Sequence, residues 1–464
     1  MLLSVYLPKW AEKFRCLMVI HESAVCILLG LATGGIIKAI LGDLSKFSAS
    51  LFFNFMLPII ILGAGYNMKR RRFFRNIGPI LMLGVGGTFV SFIVIGMSTY
   101  YWSERDLIKK NGEVVHIEIQ EAFMVGATLS ATDVVCGLAL IKENKTPRLH
   151  SILFGEATSN DAIAILLLAS LKHVNINNLD AESVFSFMGE FLYNCISSIL
   201  LGILFGVISA LVTKTFRSLR SWPGRETAIL LYVAWIGYIV ADILEISGVI
   251  CILVCSIISG HYALYNLSPT SRVVSQNFFH FIGDGAEALV FAYLGLTAYS
   301  YEVFSISPWF IAAMLLGTLI ARFIGTYILS FIITLVTCGR HRMGIRYLST
   351  IWLGGIVRGG ISFALALTYT GDHAEVLQIT VLAYVIVGVL IFSSFLPLWI
   401  ILMNAQEDPT DVAPVDGHDA GTGEKPQEER GWLHQKWKNL DDNYIKRWLI
   451  HEDELSELKR NREH

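Results

Sequence analysis

The chain has 464 residues, 54% of them hydrophobic and 16% charged, with a mean hydropathy of +0.57. A soluble domain carries about a quarter charged residues, so an ordinary cytosolic globule is excluded. A net charge of −2 gives no basis for nucleic acid or another polyanion as partner. The seven cysteines, Cys16, Cys26, Cys136, Cys195, Cys251, Cys255 and Cys338, form no CxxC pair and lie mostly in apolar runs. They read as small buried hydrophobes rather than metal ligands or disulfides. The opening MLLSVYLPKW reaches Lys9 too early for a cleavable signal peptide.

Along the chain the apolar residues fall into about twelve blocks of membrane-spanning length, near 17–41, 48–66, 77–101, 121–141, 149–171, 187–213, 226–245, 246–265, 278–299, 307–337, 347–370 and 375–403. This pattern predicts an all-α polytopic membrane protein with about 12 transmembrane helices. The seventh and eighth blocks are joined by a turn at Glu245-Ile246-Ser247-Gly248. With the N-terminus placed in the cytosol, sixteen Lys and Arg fall in the inside loops and five in the opposite ones. The positive-inside rule then puts both termini in the cytosol. The sequons at Asn144 and Asn266 would face the same side and read as accidental.

Residues 1–16 form a short cytosolic N-terminus, 17–403 the transmembrane domain and 404–430 a flexible linker rich in Asp, Glu, Pro and Gly. Residues 431–464 carry a cytosolic amphipathic helix. Leu433, Trp437, Leu440, Tyr444 and Trp448 make its apolar face, flanked by Lys436, Lys438, Lys446 and Arg447. Three readings of that helix stand level: on the inner leaflet, against another subunit, or packed under its own membrane domain.

Several charges lie inside the apolar blocks. A charge at the bilayer centre costs at least about 2.5–3.5 kcal/mol on insertion scales, so such groups face a cavity or a partner. They are Asp133, Glu156, Asp161, Glu287, Arg322 and Arg358. The bland alternative is a set of internal salt bridges that only align helices. It is weak for Asp133 and Asp161 and stronger for Glu156, Glu287, Arg322 and Arg358. In the fifth block Glu156 and Asn160, and Ala157 and Asp161, are each four apart and share a face. Asp161, Asn160 and Thr158 together offer the hard oxygens an alkali cation needs, and the carboxylate can take a proton instead. Gly126 and Gly137 flank the fourth-block motif, and Gly354, Gly355, Gly359 and Gly360 surround Arg358. Glycine-interrupted helices in two halves of a transporter point to a midplane site. Close helix packing is the competing explanation.

At these residues the chain resembles the Na+/H+ exchanger side of the monovalent cation/proton antiporter superfamily. The resemblance covers about residues 20–403. It rests on GATLSATD (126–133) followed by GEATSNDA (155–162), with LPIIILGAGYNMKRRRFFRN (57–76), FAYLGL (291–296), IARF (320–323) and VRGG (357–360). GAGYNMKRRRFFRN (63–76), the SATD detail (130–133) and NLDDNYIKRWLIHE (439–452) look more like the endosomal and vacuolar branch. The resemblance implies an inverted-repeat antiporter fold with two broken crossing helices. It also implies core helices about 77–171 and 307–403 and dimerisation helices about 17–66 and 226–299. The implied activity is electroneutral exchange of Na+ and/or K+ for H+ by alternating access, in pH regulation of an endomembrane compartment, with no enzymatic activity. The implied partners are a second copy in a homodimer, membrane lipid and cytosolic regulators of the C-terminal helix, with no cofactor beyond the transported ions. Asp161 would bind the ion or proton, Asn160 would mark the electroneutral class, and Asp133 and Thr132 would complete the Na+ or K+ site. Arg322 would stand where electrogenic relatives carry lysine, and Glu156 and Arg358 would pair.

The sequence departs from the family pattern at Val134, where proline is usual, and at Ala157, where serine is usual. One N-terminal helix fewer is visible than the family's thirteen. Two alternatives stay open on sequence alone, a passive cation channel and a transport-impaired regulatory homologue. An intramembrane aspartyl protease is disfavoured, because no Tyr-Asp pair occurs anywhere in the chain.

Overall fold

A backbone in hydrocarbon must satisfy its own hydrogen bonds, which for apolar blocks of this length means helices. The computed structural model describes residues 21–42, 48–110, 113–133, 146–174, 181–216, 222–301, 308–336, 343–369, 373–403 and 441–451, with the single positions Leu138, Ile141, Arg220, Gly371 and Glu454. Nine helices among the described residues are long and apolar enough to cross a membrane. They are α1 (Glu22–Leu41), α2 (Ala49–Asn67), α4 (Ile77–Glu104), α6 (Pro147–His173), α7 (Ala181–Thr215), α8 (Pro223–Ile243), α9 (Gly248–Asn266), α11 (Pro308–Val336) and α14 (Ala374–Ile400). A short basic helix, α3 (Arg70–Arg75), lies between α2 and α4.

The other three predicted blocks are of a different kind. The block near 278–299 belongs to α10 (Pro269–Thr297), which carries Arg272, Gln276, His280 and Asp284. The blocks near 121–141 and 347–370 are interrupted. The first gives α5 (Ile119–Ser130) followed by non-helical residues 131–133, and the second gives α12 (Ile345–Gly354) and α13 (Gly360–Ala366) separated by residues 355–359. A two-residue antiparallel hairpin, β1 (Lys109–Lys110) with β2 (Glu113–Val114), is the one strand pair among the described residues. The predicted turn between α8 and α9 is present: Glu245 takes a left-handed φ of 56°, and the Ser247 hydroxyl accepts from the Ile250 N–H at 3.4 Å to start α9. The N-terminal 1–16 segment, the 404–430 linker, and Val134 and Gly137 lie outside the described residues.

By packing, the chain divides into two compact units. The first comprises residues 1–57, 71–194 and 284–411. Within it backbones approach closely through glycine, as membrane helices do. A Cβ on Gly30 of α1 would collide with the Ala292 carbonyl, and one on Gly126 of α5 would come within 2.5 Å of the Phe92 carbonyl on α4. Helix α4 widens into a π-helical turn at Met82–Gly86 where it passes α6. Such turns recur at functional sites. At the start of α5, Glu121 holds the loop before α14: its carboxylate accepts from the His373 backbone N–H at 3.4 Å and contacts His373 Nδ1 at 3.1 Å.

The second unit comprises residues 58–70, 195–283 and 412–464. Tyr66 is buried there and hydrogen-bonds Ser275 at 2.9 Å, and the Ser198 hydroxyl accepts from the Ser247 N–H at 2.9 Å. Of the predicted C-terminal helix, residues 441–451 and Glu454 are described, including a π-helical turn at Asp441–Ile445 and α15 (Lys446–Leu449).

Candidate functional site

The two interrupted helices meet at their breaks, inside the first unit. The Asp133 backbone N–H donates to the Val357 carbonyl at 2.9 Å, joining residues 131–133 to 355–359. Each break strands helix-end N–H and C=O groups that need partners. At the end of α5 the partner is Arg358. It is fully buried, and its Nη1 donates to the carbonyls of Ser130 (3.3 Å) and Ala131 (3.0 Å). The Ser362 hydroxyl donates to the same Ala131 carbonyl at 3.4 Å. A cation at a helix C-terminus also opposes the negative end of the helix dipole. Arg358 therefore serves the backbone of the other broken helix.

Asp161 on α6 is half-buried beside this crossing. Its carboxylate accepts from the Thr132 backbone N–H, and Asp133 and Arg358 are its charged neighbours. Asp133 is buried and packs on Gly359, where a Cβ would lie 2.8 Å from Asp133 Oδ2. Asn160 is also buried and is committed on both sides: its Nδ2 donates to Thr132 Oγ1 at 2.8 Å, and its Oδ1 accepts from Thr88 Oγ1 at 2.7 Å. The single Thr88 hydroxyl proton is shared between Asn160 Oδ1 and the Gly84 carbonyl in the widened turn of α4. Thr132, Asn160 and Thr88 thus form a chain linking the first break to α6 and α4. Both ends of the Asn160 amide are thus engaged by neighbouring hydroxyls. Thr158 stays outside this chain, with its hydroxyl donating to the Phe154 carbonyl one turn back at 2.8 Å. The half-buried Ala157 contributes a methyl.

Two expected charge relations are corrected. Glu156 pairs with Arg322, not with Arg358: Arg322 Nη2 donates to Glu156 Oε1 at 2.6 Å, with both side chains buried. The reason is local geometry. The Arg322 guanidinium crosses the second break at Gly355, where even a Cβ would collide with it, and so reaches Glu156 on α6, while Arg358 is taken by carbonyls. Glu287 has no basic partner among the described residues; the charges acting on it are the acids Asp133, Asp284, Asp161 and Glu22.

The residues that sequence reasoning missed are Thr88 and Gly359. Thr88 follows Gly86-Gly87 in an otherwise apolar block, a lone hydroxyl that the search for charges passed over. Gly359 was noted only as one of four glycines, not as the seat of Asp133.

Among the described residues no group of three or more His, Cys, Asp or Glu side chains is placed to hold a metal ion. What converges is carboxylate, hydroxyl and peptide oxygen, the ligand chemistry of hard cations. A carboxylate in such a place accepts either a cation or a proton.

Comparison with known proteins agrees with this chemistry. The sequence profile of the family described as "Sodium/hydrogen exchanger, transmembrane" matches residues 1–402. The chain is 31% identical over 415 residues to sodium/hydrogen exchanger 1 of Oryza sativa subsp. japonica, covering 85% of this chain and 76% of that protein. It is 32% identical over 422 residues to sodium/hydrogen exchanger 9 of Equus caballus, covering 87% of this chain and 64% of that one. Its fold is similar to the solved structure of a sodium proton antiporter from Methanocaldococcus jannaschii at pH 8, with a TM-score of 0.63 at 17% identity over 87% of this chain and 96% of the other.

Proposed function

The chain belongs to the sodium/hydrogen exchanger family, and from that premise we propose that it is an electroneutral antiporter that exchanges Na+ and/or K+ for H+ by alternating access. The relatives named above are sodium/hydrogen exchangers. The observation that carries the reading to this chain is the crossing of two broken helices, joined by Asp133 N–H to Val357 O, with the carboxylate of Asp161 beside it.

In this reading Asp161 is the carrier. The cation binds its carboxylate with oxygens of Asp133 and Thr132, and the proton returns on the same carboxylate. Asn160, bonded to Thr88 and Thr132, keeps the ligand set in register. Glu156 and Arg322 hold α6 to α11, and Arg358 holds the two broken helices together. The part that moves would be the core helices, about 77–171 and 307–403, in a homodimer assembled through helices in 17–66 and 226–299. Both termini would face the cytosol, as the sixteen-to-five loop count favours. The tail similarity to vacuolar and endosomal members supports an endomembrane site and a role in compartment pH.

The test is coupled flux in proteoliposomes. The wild-type chain should acidify or alkalinise the lumen in response to Na+ or K+ gradients, at a rate unchanged by an imposed membrane potential. Asp161→Asn should abolish that flux while the protein keeps its wild-type elution profile. A passive channel would show conductance without coupled proton movement, and an inactive homologue would show neither.

A further inference from the structure

The described tail is bolted to the second unit at four places. Asp441 accepts from the Tyr262 hydroxyl (2.6 Å) and Lys446 Nζ (2.9 Å), with His261 Nε2 at 3.7 Å. Asn266, at the end of α9, treats the tail as a backbone partner: its Nδ2 donates to the Leu449 carbonyl at 2.9 Å, and its Oδ1 accepts from the His451 N–H at 3.0 Å. The same Nδ2 donates to the Ala210 carbonyl of α7 at 3.0 Å. Lys214, in the last turn of α7, donates to the Trp448 carbonyl at 2.6 Å. Glu454 takes Arg220 on one oxygen and Arg272 of α10 on the other at 2.7 Å. Leu449 and Ile450 are fully buried beneath these contacts. The inner face of this strap therefore ties together the ends of α7, α9 and α10 on one side of the spans.

The outer face is of opposite character. Tyr444 and Trp448, four residues apart, are 73% and 61% exposed, with Arg447 exposed between them. They do not stand alone. Phe216, immediately after α7, and Trp222, immediately before α8, are also exposed, and the Arg225 guanidinium lies over the Trp222 ring at 4.7 Å. Lys214 holds Trp448 beside the end of α7, so these four aromatics lie at helix ends on one side of the same unit. Large exposed aromatics with adjacent Arg at the ends of spanning helices are the composition of a membrane interface, where the ring is apolar and its polar edge stays wet.

We propose that residues 441–454 form an interfacial strap, with Tyr444 and Trp448 seated in the lipid headgroup layer as part of an aromatic belt with Phe216 and Trp222. Arg447 contacts anionic headgroups. The partner of the outer face is the bilayer surface itself, and the inner face carries that contact to the ends of three spans. Of the three readings open for this helix on sequence alone, two combine: one face packs under its own domain and the other meets lipid.

The experiment uses the full chain in proteoliposomes and compares its tryptophan emission with that of Trp448→Phe; the difference isolates Trp448. That difference emission should be quenched by phospholipids brominated near the headgroup end of their acyl chains. It should be less accessible to acrylamide than a free indole. Quenching by acrylamide without any effect of brominated lipid would overturn the proposal in favour of a solvated surface. Insensitivity to both would overturn it in favour of a face buried against another protein copy. A second arm keeps the aromatic face and removes the clasp. Asn266→Ala should raise amide exchange at Ile450 and His451 roughly tenfold, and unchanged exchange there would show that the strap is not held as described.

Discussion

The pairing of Glu156 with Arg322 makes the sharpest prediction, because it separates two arrangements that the sequence left indistinguishable. The side chains are 1% and 3% exposed, and they share one contact, Nη2 to Oε1 at 2.6 Å. Glu156 Oε2 and Arg322 Nε have no hydrogen-bond partner among the described residues, and the other contact of the guanidinium is the Ile351 carbonyl at a marginal 3.5 Å. Among the described residues no other charged group lies within ion-pair distance of either side chain. Removing one member of a buried pair costs about 3–5 kcal/mol, most of it the desolvation of the orphan. Arg322→Met and Glu156→Gln should each lower apparent stability in detergent by about that amount. The double variant leaves no lone charge, so the two losses should fall short of additivity by about 2 kcal/mol. The parallel cycle of Glu156→Gln with Arg358→Gln should be additive within about 0.5 kcal/mol, because Arg358 donates to Ser130 and Ala131 carbonyls instead. Thermal melts of the six proteins, read by fluorescence-detected size exclusion, decide the matter. Coupling in the Arg358 cycle with none in the Arg322 cycle would refute the assignment.

Gly359→Ala should raise the apparent Km for Na+ or K+ about fivefold, equivalent to about 1 kcal/mol, since its Cβ would come within 2.8 Å of Asp133 Oδ2 and displace that carboxylate; concentration dependence of cation-driven proton flux measures it. Thr88→Val strands the buried Asn160 oxygen, at a cost of about 1–3 kcal/mol, whereas Thr88→Ser keeps the donor and should restore both stability and transport. Burial alone would raise the Glu454 carboxyl, but donation from Arg220 and Arg272 outweighs it and holds the group below its ordinary value. The same holds more strongly for Asp441, where burial is outweighed by His261, Tyr262 and Lys446. Both pKa values are depressed by docking, so the stabilisation they give is complete above the ordinary carboxylate range and is lost as pH falls through the lowered values. Protection of the Ile450 and His451 amides, corrected for intrinsic exchange, should therefore stay flat through neutral and mildly acidic pH and fall only in strong acid.

Much of this site was legible because membrane insertion makes charge conspicuous. Asp133, Asp161, Glu156, Arg322 and Arg358 stand out against apolar neighbours, and the glycines around Arg358 marked a break that the structure places at residues 355–359. The partners of those charges were not legible. Arg322 and Arg358 are equally basic in sequence, and only the path of the guanidinium across Gly355 decides that Glu156 belongs to Arg322. Backbone acceptors are invisible in a sequence, so the carbonyls of Ser130 and Ala131 could not be named as the partners of Arg358. Thr88 escaped for a related reason: a hydroxyl in a helix ordinarily bonds back to its own carbonyls, as Thr158 does, and only the tertiary structure gives Thr88 a second role at Asn160. In the tail, the apolar periodicity through Tyr444 and Trp448 marked a face, but these two turn outward while Leu449 and Ile450 are buried. Asn266 read as an accidental sequon, and its actual use is to hold that strap.

The distribution of charge around the crossing bears on stoichiometry. Glu156 and Arg322 neutralise one another. Arg358 faces the carbonyl end of α5, where its charge is set against a helix dipole and two peptide oxygens rather than against one carboxylate. Asp161 is bound by no lysine or arginine within ion-pair distance among the described residues, and its own hydrogen bond comes from a neutral peptide N–H of Thr132. Its negative charge is therefore not taken up by an ion-paired basic side chain. A carboxylate that carries a proton and one that carries an alkali cation have the same net charge. If both ions ride on Asp161, the loaded core has the same charge in either direction, and the unloaded core bears an uncompensated charge that low-dielectric surroundings penalise. In the alternating-access reading proposed above, that penalty would let the core cross only when loaded, and the equality of the two loaded forms would make the exchange one for one.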